Sequence, residues 1–330
     1  MATFKKKKTR SFIAKLGIFF LMLYLLDFSI GSLLRKLYFQ QDSGYLYRTT
    51  YSLDSTKADL LIFGASTANH HYDPSLFENR LQMSAYNTGR DGGSFFYVYS
   101  ILHAVLKRYS PKIVILDFNV GELLKDQGST DRISFLLPYY KNHPEIRSVI
   151  LLKSPFEKYK LLSKIYPFNS LMFTSAIRNA NLSENSKRDH EAESGYVPIK
   201  RVSDEAIAYV DDPVIHELDS NKINLFKDFV RECTTAGVKL YVVVSPSRID
   251  YKYEDPSLNL AKDVTNDFDV PFYNFSRLFR NSPNLFADNL HLNDSGAQVF
   301  SNKIIDAILK NDSSGIINDK YNNSAITGKK

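Results

Sequence analysis

The chain is nearly devoid of cysteine and has no tryptophan. Its 330 residues include one Cys, Cys233. A single thiol excludes an intrachain disulfide and any zinc site built on several cysteines. Cys233 follows apolar Phe229 and Val230 in a stretch that reads as helix, so a small buried core residue is expected. A chain this poor in cysteine is compatible with either side of a bacterial membrane. A basic stripe interleaved with aromatics is also missing. The formal charge is +6, but residues 1–36 carry eight Lys or Arg against one acid, Asp27. Without that segment 34 basic residues face 35 acidic ones. The basicity belongs to the N-terminus, and nucleic acid is not an expected partner. No internal repeat is visible.

What is present begins with Lys5-Lys6-Lys7-Lys8-Thr9-Arg10, followed by an apolar window over residues 12–34 that Lys15 and Asp27 interrupt. About 20 residues cross the hydrocarbon of a bilayer. Both charges lie toward the ends of the window, where they cost less than at a helix centre, and Lys15 can reach back to the basic end. An uncleaved anchor, a cleaved signal peptide and a buried soluble helix all fit the length. The only small-residue cut site, Ser29-Ile30-Gly31-Ser32, runs directly into Leu33-Leu34, which favours the anchor. The expectation is a single-pass protein of the bacterial inner (cytoplasmic) membrane. Residues 1–11 form a cytoplasmic basic tail, 12–34 the transmembrane helix, and everything from 35 onward lies outside.

Residues 35–57 read as a juxtamembrane link. From 58 onward short apolar runs alternate with helical stretches. Strands are expected at 58–63, 84–87, 112–116, 238–244 and 271–273, and helices at 74–81, 94–109, 221–236, 256–268 and 294–309. Continuously apolar strands between helices argue for a parallel sheet covered on both faces. Residues 120–215 break this rhythm with prolines, aromatics and a polar run near 181–194, and are expected to form an insertion that acts as a lid or partner surface. Residues 311–330 read as a flexible tail.

Two segments carry chemistry. Leu60-Leu61-Ile62-Phe63-Gly64-Ala65-Ser66 puts a serine just past a strand end, where open α/β sheets bind ligands. A helix cap is the plainer alternative. Near the other end, Asp288-Asn289-Leu290-His291 spaces a carboxylate and an imidazole three apart, close enough to fix the ring tautomer. An exposed capping Asp and a surface His are the alternative there. His70, His71 and Asp73 resemble metal ligands, but adjacent histidines point apart and zinc needs three or four converging donors, so no metal and no cofactor are expected. Arg248, after the Val242-Val243-Val244 run, is a weaker candidate for holding an anionic substrate group. Gly195-Tyr196-Val197-Pro198 has no assigned role.

Gly64-Ala65-Ser66-Thr67-Ala68 after the first strand, together with the stretch from Asp288 to Phe300, resembles the SGNH (GDSL-type) hydrolases over residues 58–310, the insertion excepted. The resemblance implies a flavodoxin-like three-layer α/β/α fold with Ser66, Asp288 and His291 as catalytic groups. It also implies an oxyanion hole from the Ser66 amide, Gly89 and Asn119. The Asn119 block departs from the family pattern, with Asp117 in place of Gly and Val120 in place of Asp. A Gly-x-Ser-x-Gly elbow of the α/β-hydrolase kind is nearly matched by residues 64–68, but those enzymes separate Asp from His and seat the Ser mid-sheet. The function expected is a serine-dependent ester hydrolase or O-acyltransferase. Its substrate would be an acylated cell-envelope glycan or another extracytoplasmic ester, with an acyl-transfer partner in the membrane. This rests on a resemblance to the anchored accessory proteins of cell-surface acylation. The alternative is a non-catalytic anchored binding or assembly protein that keeps the fold.

Overall fold

A computed structural model of the protein describes residues 2–171, 194–211 and 217–311. The expected polar run at 181–194 and tail at 311–330 therefore lie, except for residues 194 and 311, outside the described residues. The strands are β1 (Leu60–Phe63), β2 (Ala85–Asn87), β3 (Ile113–Asp117), β4 (Ala208–Val210), β5 (Lys239–Val244), β6 (Ile249–Tyr251) and β7 (Phe272–Asn274). The helices are α1 (Ala2–Phe39), α2 (Gly44–Asp54), α3 (Ser66–His71), α4 (Pro74–Leu81), α5 (Phe95–Arg108), the short α6 (Gln127–Asp131), α7 (Arg147–Leu151) and α8 (Glu157–Lys160), then α9 (Ser220–Thr235), α10 (Pro256–Asp267) and α11 (Asp294–Asn311).

Apolar side chains at every position of β1 and at the first four of β3 have a simple cause. Successive residues of a strand point to opposite faces, and here both faces are covered. Leu61, Phe63, Val114, Leu116, Leu240 and Val242 pack toward α2, α5 and α9. Leu60, Ile62, Ile113, Ile115, Tyr241 and Val243 pack toward α4 and α11. Each such side chain contributes about 1.5–3 kcal/mol on burial. The five-stranded sheet has the order β2-β1-β3-β5-β7 and is parallel throughout. This is the three-layer, flavodoxin-like arrangement, with β4 and β6 paired apart in a second small sheet. Strand order reverses between β1 and β3, and the crevice beyond their C-terminal ends is where such sheets bind ligands.

Two segments differ from expectation. Residues 44–54 are not a link: α2 buries Leu46 and Leu53 against the domain, and Arg90 donates to Thr49 Oγ1 at 2.7 Å. A Tyr-rich polar stretch hid this helix because its apolar face is narrow. Within the expected insertion, residues 120–171 contribute to the core rather than standing apart from it. Ile133, Leu136, Tyr139, Ile146 and Ile150 are buried in the same core as α5 and extend that layer. α1 is long and apolar enough to cross a membrane, and its side chains from Ile18 to Leu26 are exposed.

At the end of β3 the Asp117 carboxylate is almost wholly buried. Its Oδ1 accepts hydrogen bonds from the Tyr72 and Ser245 hydroxyls, and Oδ2 has no hydrogen-bond partner. Burial drives its pKa up to about 6, against the pull of those hydroxyls. Between about pH 4 and 6 the folded chain therefore holds a proton that the unfolded chain has lost, so stability falls as pH rises through that window. The loss expected is on the order of 2–3 kcal/mol, and Asp117→Asn should remove this slope. Urea unfolding of both proteins at the two ends of the window checks it; parallel pH curves would count against it.

Candidate active site

Ser66 is the first residue of α3, immediately beyond β1, and its amide has no acceptor within the helix. The loop Phe286–Leu292 returns to it from the far end of the chain. That loop is closed by the antiparallel Phe286–Leu292 bridge and by the Ala287 amide donating to the His291 carbonyl at 2.8 Å. The result brings Ser66, Asp288 and His291 together. His291 Nε2 lies 2.8 Å from Ser66 Oγ, and His291 Nδ1 lies 2.9 and 3.1 Å from the two Asp288 oxygens. A carboxylate only accepts, so Nδ1 carries the proton and Nε2 is free to accept from the serine hydroxyl.

Asp288 is held from several sides. Its Oδ1 also accepts the amides of Leu290 and His291, at 2.9 and 2.8 Å, and its Oδ2 accepts from Arg201 Nη2 at 2.8 Å. Burial alone would raise this carboxyl; the two amides and the His291 ring outweigh it and hold the pKa at about 2. Asp288 is thus ionised at any pH where the imidazole can act as a base.

The two histidines after Ser66 fix this geometry. His71 is fully buried, and its Nε2 accepts the Leu292 amide at 2.9 Å. That requires the neutral ring with its proton on Nδ1. Burial, with the His291 and His70 rings nearby, keeps its pKa well below the ordinary value. His70 sets its Nδ1 2.6 Å from the Val197 carbonyl and its Nε2 3.0 Å from Asp91. Val197 belongs to a strap, residues 194–203, that laces the site parts together. Asn87 donates its amide to Ser194, Val197 to Asn69, Ser203 to Phe286, and Asp294 to Ile199, over 2.7–3.0 Å. The segment 195–198, unassigned from sequence, therefore does return to the site. Among the described residues no group of three or more His, Cys, Asp or Glu is arranged to hold a metal ion.

Asn119 stands across from Ser66. Its Oδ1 accepts from the Thr67 hydroxyl at 2.9 Å and its Nδ2 donates to Glu122 at 3.1 Å, which leaves one amide hydrogen for a ligand. Gly89 does not serve as the expected donor. Its amide donates to Asn87 Oδ1 at 2.9 Å, an Asx-turn, and Asn87 in turn donates to the Ala68 and Tyr72 carbonyls. A β-carbon on Gly89 would lie 2.5 Å from the Asn69 nitrogen, so this glycine serves close packing. An Asn two residues before a Gly is the sequence signal for such a turn. Arg248 does not reach toward a ligand either. It is buried, donates from Nη1 to the Glu205 carbonyl at 2.6 Å, and its own amide donates to Asn289. It braces the Asp288–His291 loop. Arg201, which sequence reasoning missed, carries no local motif that would have marked it, and His71 drew notice only as a possible metal ligand.

Beside Ser66 a cleft of about 200 Å³ opens between Asn119, Val120, Pro246, Ile249, Tyr251 and Leu290. Its walls come from the ends of β3 and β5 and from β6.

The chain matches no protein-family model, and no curated protein matches it. Solved structures similar to it include the psychrotrophic esterase EstA from Pseudoalteromonas sp., at 12% identity and TM-score 0.40, over 76% of this chain and 96% of that one. Another is a Bacteroides fragilis protein assigned as an acylhydrolase, at 12% identity and TM-score 0.39, over 79% of this chain and 94% of that one.

The His71 contact has a measurable consequence. His71→Ala strands the Leu292 amide in a buried place, which costs about 1–3 kcal/mol. Chemical unfolding should register at least that loss. A change below about 0.5 kcal/mol, the range of an inert surface substitution, would mean the bond does not hold the loop.

Proposed function

We propose that the chain is a membrane-anchored serine hydrolase of the SGNH type that cleaves or transfers acyl esters. The observation that carries this reading is the aligned Ser66–His291–Asp288 chain of hydrogen bonds at the mouth of a cleft. His291 Nε2 takes the Ser66 proton while Ser66 Oγ attacks the ester carbonyl. The oxyanion that forms is met by the Ser66 amide and the free Asn119 hydrogen, with Gly89 playing no part. The imidazolium, stabilised by ionised Asp288, then protonates the departing alcohol and leaves an acyl-serine. Water frees the acid; a sugar hydroxyl in the same position gives an O-acyl transfer. The loop amides and the His291 ring keep Asp288 charged throughout.

The cleft is small for a long chain, which favours acetyl or a similarly short acyl group on a larger acceptor such as an envelope glycan. A purely binding role is the weaker reading. It gives no reason for a serine hydroxyl, an imidazole and an ionised carboxylate to line up within hydrogen-bonding distance. α1 supports an anchor, and its basic start favours a cytoplasmic N-terminus with the domain outside.

Hydrolysis of a small aryl acetate should vanish in Ser66→Ala, and Ser66 should be labelled by a fluorophosphonate probe. Asn119→Ala should lower kcat by about 10²–10³, and the rate should fall from acetyl to octanoyl esters. An unlabelled Ser66 in folded protein would sink the hydrolase reading. Protease added to spheroplasts should digest the domain; full protection until lysis would reverse the orientation.

A further inference from the structure

α1 does not simply lead into the domain. Seven residues before the end of its apolar window, the Asp27 carboxylate accepts hydrogen bonds from Ser163 Oγ and from the amides of Lys164 and Ile165. One turn later Gly31 is buried, and a β-carbon there would lie 2.4 Å from the Lys164 carbonyl carbon. Lys164 Nζ sits 3.5 Å from the centre of the Phe28 ring. The loop at 163–165 is therefore clamped to α1 between Asp27 and Gly31. Asp27 precedes Leu34 by roughly 10 Å of helix rise. If α1 spans a bilayer, this loop sits at the level of the outer interface and not above it. A carboxylate at that depth needs partners from the protein itself, and the loop supplies three.

The segment that leads into this loop carries the chemistry of an interfacial element. Phe156 and Tyr159 are each 66% exposed and Leu162 is 80% exposed, with Leu151 and Leu152 exposed beside them. Large apolar side chains gathered this way mark a contact surface. The charges among them are one-sided. Lys158 and Lys160 are exposed, whereas Glu157 is fully buried and accepts from the Tyr166 hydroxyl and Lys160. At the seam with α1, Arg35, Lys141 and Lys164 border a cavity of about 110 Å³.

We propose that residues 151–164 form a foot that seats in the outer interface of the bilayer α1 crosses. Phe156, Tyr159 and Leu162 enter the acyl boundary, and the neighbouring lysines meet anionic phosphate headgroups. This rests on the anchor reading of α1. Amphipathic elements with basic polar faces bind such interfaces by buried apolar area plus attraction to anionic lipid. The clamp at Asp27 fixes the foot at the depth where that binding occurs.

The absence of tryptophan makes the test direct. Single Phe156→Trp and Leu162→Trp variants of the full chain are reconstituted in phosphatidylcholine–phosphatidylglycerol vesicles whose acyl chains carry bromine near the headgroups. Leu21→Trp in α1 and Tyr209→Trp, exposed on β4, serve as references. Bromine should cut the emission of both foot probes and of Leu21→Trp at least twofold and leave Tyr209→Trp unchanged. If Leu21→Trp is quenched and the foot probes behave like Tyr209→Trp, the anchor stands and the foot is wrong. If Leu21→Trp is not quenched, the anchor fails and the foot with it. Foot probes shielded from aqueous iodide yet untouched by bromine would mean that a protein covers the patch, which also overturns the proposal.

Discussion

Where β1 ends, the chain passes so close to β3 that no β-carbon fits. Gly64 takes φ +152°, and a methyl there would lie 2.7 Å from Ala68 Cβ and 2.9 Å from the Asp117 carbonyl. This close approach lets α3 begin at once, with Ser66 as its first residue. Parallel pairing of Phe63 with Leu116 brings the ends of β1 and β3 out at one height, so Ser66 and Asn119 face each other across the crevice. The other parts hang from α3. His70 takes the strap and His71 takes the loop that carries Asp288 and His291. A side chain at position 64 would displace every one of these groups without touching any ligand.

Two carboxylates near the crevice show how surroundings divide one functional group into two uses. Asp288 collects backbone amides, an imidazole and a guanidinium, and stays charged. Asp117 is buried among hydroxyls, has one oxygen without a partner, and holds its proton to a higher pH than an ordinary carboxyl. The first can stabilise a cation that appears during a reaction. The second ties β3 to Tyr72 and Ser245 and supports the floor beneath the site.

The sequence made some of this legible and hid the rest, for identifiable reasons. Strand positions were plain because residues buried on both faces leave a continuous apolar run, as in Leu60–Phe63 and residues 240–244. The Ser66 and Asp288–His291 segments were visible because each is local and lies next to a sheet-end signal. Groups that act across the chain were not. His71 and Leu292 meet over more than 200 residues. Arg201 reaches Asp288 from a strap whose position depends on tertiary contacts. Arg248 looked available to a ligand because its chain position is at the sheet edge, yet burial turns its guanidinium onto a carbonyl. Gly89 was misassigned because a glycine after Asn-Thr can present its amide outward or close a turn, and the buried Asn87 side chain decides for the turn. α2 was missed because its exposed face is polar and aromatic.

α1 runs unbroken from Ala2 to Phe39, and its last turns are packed against the domain by Gly31 and Tyr38. No proline interrupts it. A flexible tether would let a reaction centre sweep a wide volume. A helix clamped in this way has little freedom to tilt against the domain; under the anchor reading proposed above, the crevice would ride at one altitude above the lipid surface. If its substrate is the acylated polymer proposed above, chemically identical esters at that altitude would be within reach and the others would not. Selectivity of this kind needs no recognition of the polymer's sequence or length; it is set by the geometry of a mounting.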